Sequence, residues 1–111
     1  PGHILCNYML GRSLERQELY TDALRHFEAA LELAPTDDFN LGYYYFWVGF
    51  THLQLQEQSV ACSNLQQSYR IAVERGDELL MDSAAGVAVE CGLNLAGASP
   101  TATPTPEDDG A

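Results

Sequence analysis

The stretch LGRSLERQELYTDALRHFEAALELA, Leu10 to Ala34, can be laid over VGFTHLQLQEQSVACSNLQQSYRIA, Val48 to Ala72, at an offset of 38 residues with no gap. Gly11 then falls on Gly49, Ala23 on Ala61 and Phe27 on Leu65. A third, shorter echo follows, with Ala85-Gly86 placed 37 residues after Val48-Gly49. Repetition at this period is the mark of stacked supersecondary units, each of which buries its apolar face against its neighbours. Two and a half units are expected.

Each unit reads as helical. Tyr20, Ala23, Leu24, Phe27, Ala30, Leu31 and Ala34 recur at i, i+3, i+4 and i+7, the stripe of an amphipathic helix, and no window alternates convincingly over strand length. Pro35 ends this helix, and Thr36, Asp37 and Asp38 offer acceptors to the next. The same logic predicts helices over about 3–16, 38–56, 59–74 and 78–96, an all-α array of five helices with short connectors. Arg75-Gly76-Asp77 spells an adhesion tripeptide, but a glycine closing one helix and an aspartate capping the next account for it.

The 111 residues suffice for one domain with a modest core. The folded part is expected over 1–96. From Gly97 onward GASPTATPTPEDDGA loses apolar periodicity and reads as a disordered tail or linker. An opening proline without an initiator methionine or a cleavage pattern suggests an excised piece of a longer chain.

Sixteen acidic residues stand against five arginines and no lysine, a net charge of −11. Nucleic-acid binding needs clustered positive charge to neutralise phosphates, so this balance argues against a DNA or RNA partner, and against anionic membranes for the same reason. The longest apolar run is far short of the roughly 20 residues of a bilayer span. Cytoplasmic residence is the expectation. Cys6, Cys62 and Cys91 form no C-x-x-C pair, and the His3/Cys6 spacing supplies only half a metal site. No cofactor and no metal are expected. Nor is there a phosphate-cradling glycine loop, or a nucleophile with an adjacent base, so no catalytic residue is named and the chain does not read as an enzyme.

The repeated positions resemble the tetratricopeptide repeat pattern W-x2-L-G-x2-Y, A-x3-F, P. The first unit has Asn7, Leu10, Gly11 and Leu14, then Ala23, Phe27, Ala30 and Pro35; the second has Tyr45, Val48, Gly49 and His52, then Ala61, Leu65 and Ser68; the third keeps Asp82, Ala85, Gly86 and Val89. Glycine and alanine at these places let paired helices approach while larger neighbours fill the space between. The spacing exceeds the family's 34 by about one helical turn, expected as extra helix in each unit.

The resemblance implies hairpins stacked in a right-handed superhelix whose first helices line a concave groove that holds a peptide or a partner's helix. Carrying the register across places Leu5, Tyr8 and Arg12, then Tyr43, Phe46 and Phe50, then Leu80, Ser83 and Val87 on that side. Phe46 and Phe50 either line the groove or pack as core. Tyr45, Val48, Gly49 and His52 should pack within their hairpin, and Tyr44 and Trp47 against the neighbouring one; His52 reads as a core histidine and His26 as a surface one. Some relatives grip a C-terminal carboxylate with several Lys, Asn and Arg side chains. This chain offers only Arg12 and Asn7 there, so a hydrophobic or basic peptide suits its acidic surface better. The alternative is a structural spacer of a longer repeat protein, or a homodimer through the last helix.

Overall fold

The computed structural model describes residues 2–92 and Leu95. Its elements are α1 (Gly2–Arg16), α2 (Tyr20–Leu33), α3 (Leu41–Gln54), α4 (Gln58–Arg75) and α5 (Glu78–Ala88), followed by a 3-10 turn, Val89–Cys91. No strand occurs among the described residues. Consecutive helices pack on one another, α1 with α2 and α3 with α4 forming the two hairpins and α5 opening a third unit. The expected all-helical, five-helix array is what the described residues form. The expected tail, 97–111, lies outside the described residues.

The repeat extends to backbone features that side-chain patterns do not reveal. Within the hairpin turns two non-glycine residues take positive φ, Glu18 at 63° and Gln56 at 65°, and they are 38 positions apart. The closing hydrogen bonds match as well. Leu19 N–H donates to the Leu14 carbonyl at 2.9 Å, and Glu57 N–H donates to the His52 carbonyl at 2.9 Å. Left-handed backbone costs an L-residue about 1 kcal/mol or more, so Gln56→Gly should stabilise the fold by up to about 1 kcal/mol. Chemical denaturation reads this directly, and a destabilising outcome would show that the Gln56 side chain offsets its backbone strain.

The two units accommodate their extra length differently from the expected added turn in each. α2 has 14 residues and α4 has 18, so only the second unit gains helix. The first spends its surplus in the connector 34–40, where Pro35 prevents α2 from continuing. That connector is held: the Arg75 guanidinium donates to the carbonyls of Thr36 at 3.1 Å and Asp38 at 2.6 Å, and Asn40 N–H donates to Asp38 Oδ1 at 2.7 Å. As a result α3 starts at Leu41, later than its apolar pattern suggested. Arg75-Gly76-Asp77 behaves as its sequence implied, Gly76 closing α4 at φ 70° and Asp77 capping α5 through Leu80 N–H. α5 ends sooner than the expected 96, at Ala88, and Gly92 turns the chain at φ 79°.

Two core clusters result. One joins the hairpins through Ala23, Phe27 and Val48, with Tyr8, Leu14 and Trp47 packed on it. The other joins α3, α4 and α5 through Phe46, Leu65, Tyr69, Ala72, Leu80, Ala84 and Ala88. Gly11 and Gly49 sit where helices touch: a Cβ on Gly11 would meet the Phe27 ring at 2.6 Å, and one on Gly49 would meet Leu65 at 2.9 Å. Gly86 was expected to play the same part and does not, since nothing lies within 4 Å of the place its Cβ would take. The helix that would complete the third hairpin is absent from the described residues.

Candidate functional site

The face formed by the odd-numbered helices is organised by one aromatic run on α3. Trp47 reaches back to the first hairpin, stacking on Phe27 at 5.8 Å, while Tyr44 meets Tyr8 edge-on at 5.2 Å. Forward along α3, Phe50 lies edge-on to Trp47 at 5.5 Å and stacks on Phe46 at 6.3 Å. Arg12, from α1, lays its guanidinium over the Trp47 ring at 4.3 Å. This is cation–π geometry, and the Arg12 Nε is buried without a hydrogen-bond partner. An unmet buried donor costs roughly 1–3 kcal/mol.

The expected contact residues divide by burial. Phe46 and Leu80 are core, 8% and 2% exposed, and offer a ligand almost no surface as placed. They bury because α5 lies against α3, with Leu80 filling the space beside Gly42. Tyr8, Arg12, Tyr43, Phe50 and Val87 are half-buried, and Leu5 is exposed. The structure thus brings Arg12 and Phe50 together around Trp47 and puts Tyr43 beside α5. Burial, then the neighbouring Asp77 carboxylate, raises the Tyr43 phenol above its usual value.

Leu5 belongs to a different feature. A cleft of about 580 Å³ opens between the start of α1 and the α2–α3 connector, lined by Ile4, Leu5, Leu33, Pro35, Asp38, Phe39, Asn40 and Tyr44. Phe39 is 88% exposed at its edge. Sequence reasoning missed this residue; a phenylalanine stranded among turn formers in PTDDFN was the available signal. Burial, then the nearby Asp38 carboxylate, raises the Tyr44 phenol.

His52 is buried, as read. Its Nδ1 lies 2.7 Å from Glu57 Oε1 and its Nε2 3.5 Å from Glu28 Oε2, tying the second hairpin to α2 of the first. His26, expected at the surface, is half-buried, with Nδ1 2.9 Å from Asn7 Oδ1. That contact explains an asparagine where the repeat pattern has tryptophan. His3 and Cys6 are both exposed, and no group of metal-ligating side chains occurs among the described residues. No described helix is long and apolar enough to cross a membrane.

Paired antiparallel helices, a repeated left-handed turn and small residues at the helix contacts define a helical-hairpin repeat protein. The tetratricopeptide repeat family model matches residues 4–37, the first hairpin and the start of the connector after it. The chain carries a tetratricopeptide repeat there, within helices for about two and a half repeats. Tetratricopeptide repeats are a non-catalytic fold that generally mediates protein–protein interaction. Neither the curated proteins nor the solved structures include a match.

Proposed function

We propose that this chain is an interaction module that receives an extended peptide or a partner's helix on the face formed by α1, α3 and α5. The supporting observation is the Arg12–Trp47–Phe50 constellation, a cation with an unmet donor beside half-buried aromatics, in a protein of net charge −11. A ligand carbonyl or carboxylate would pair with the outer guanidinium nitrogens of the half-buried Arg12 while an apolar side chain covers Phe50 and Val87. Tyr8, Tyr43 and Leu5 extend the surface to either side. Each aromatic that becomes fully buried contributes about 1.5–3 kcal/mol, enough for a micromolar complex from a few anchors after ordering costs. The surrounding negative charge favours a segment with basic flanks.

A displayed peptide library selected on the native protein supplies probes. Selected peptides should bind at least tenfold more weakly to Phe50→Ala and to Arg12→Leu, both checked for native helicity, and equally well to Phe39→Ala. Loss confined to Phe39→Ala would move the interaction to the cleft beside the α2–α3 connector and reject the groove.

A structural role in a longer array, or self-association through α5, is the second reading. It draws on Leu79 and Val89, which are 72% and 65% exposed on the unit that lacks a partner helix among the described residues. Sedimentation over a concentration series separates the two readings, since a dimer that no longer binds the selected peptides favours the second.

A further inference from the structure

Two of the three cysteines, far apart in sequence, come together at the end of the array. Cys62 sits in the second turn of α4 and Cys91 ends the 3-10 turn after α5. Their side chains meet where the start of α4 faces the 3-10 turn. Each also points at the backbone of the other's segment, Cys62 Sγ lying 3.7 Å from the Cys91 carbonyl and Cys91 Sγ 3.9 Å from the Gln58 carbonyl. Beside them the Gln58 side-chain amide donates to the Glu90 carbonyl at 2.9 Å. Three cross-connections thus hold the 3-10 turn against the start of α4. Cys6 is on α1, exposed and apart from this group.

We propose that Cys62 and Cys91 are a built disulfide site, closed by thiol–disulfide exchange with a low-molecular-weight disulfide. In the first step the Cys62 thiolate attacks one sulfur of the small disulfide, forming a mixed disulfide and releasing one thiolate. In the second the Cys91 sulfur gives up its proton and displaces the remaining thiol, which leaves as its thiolate. Two protein thiols are oxidised, one small disulfide is reduced to two thiols, and the two protons pass to those leaving groups. Burial, then the adjacent Cys62, pushes the Cys91 thiol up to about 12, so Cys91 suits the resolving rather than the attacking position. The bond would close a loop of about 30 residues and so restrict the unfolded chain. It would also pin the third, half-complete unit to α4, independently of the peptide-binding reading.

The test is incubation of the full chain with oxidised glutathione at low protein concentration, followed by acid quenching, alkylation, tryptic digestion and mass measurement. Cleavage after the arginines puts Cys6, Cys62 and Cys91 in the separate peptides 1–12, 26–70 and 76–111. The expected product is 26–70 joined to 76–111, two hydrogens lighter than their sum, with neither cysteine alkylated and with a higher melting temperature than the reduced protein. Cys62→Ser should abolish the link and return Cys91 to alkylation. The proposal fails if both peptides are recovered alkylated or still carry glutathione. It fails equally if either links to Cys6, or if the Cys62–Cys91 link forms no faster in the folded protein than in urea.

Discussion

Phe27→Ala is expected to destabilise the protein by about 3–5 kcal/mol, the range for removing a buried aromatic ring from a core that cannot collapse around the gap. Phe27 is fully buried. Its ring fills the space that Gly11 leaves on α1, stacks on Trp47 of α3 and sits 6.3 Å from Tyr8. One side chain therefore closes the first hairpin and docks it on the second. A domain of this size has a total stability of roughly 5–15 kcal/mol, so the variant would lose a large share of it. Urea denaturation should show a lower midpoint at an unchanged slope. A loss below about 1 kcal/mol would mean that the hairpins hold together without this contact.

The second large effect is a contrast between two glycines that occupy the same place in the repeat. Gly49→Ala should cost about 1–3 kcal/mol, because the new methyl would press on Leu65 at 2.9 Å and on the Ala61 carbonyl at 3.1 Å, and backbone does not yield as a flexible side-chain end does. Gly86→Ala should instead be neutral or stabilising by up to about 1 kcal/mol. Gly86 is exposed within α5, with nothing near its missing Cβ, and alanine is the better helix former by about that amount. Thermal melts of the two variants in parallel decide the matter. A destabilised Gly86→Ala protein would show that further chain packs on that face of α5.

The contrast also shows how far a repeat pattern can be read. Glycine at 11, 49 and 86 is one signal in the sequence, yet it means close helix contact only where a second helix is present to make it. Likewise the register put Phe46 and Phe50 together on one face. The placement of α5 then divided them, covering Phe46 with Leu80 and leaving Phe50 half-exposed beside Trp47. Tyr44 and Trp47 did turn toward the first hairpin, because rotation by 100° per residue is a property of the helix alone.

Helix type, hairpin order, the 38-residue period and the positions of Gly76 and Asp77 follow from local rules of periodicity, capping and turn formation, which operate within a few residues along the chain. They were legible for that reason. The unmet Arg12 donor over Trp47, the exposed Phe39 beside its cleft, the carboxylates on either side of His52 and the meeting of Cys62 with Cys91 join residues from different helices. Such juxtapositions depend on how one hairpin lies against the next, and that arrangement is set by side-chain packing between helices rather than by any pattern along one of them.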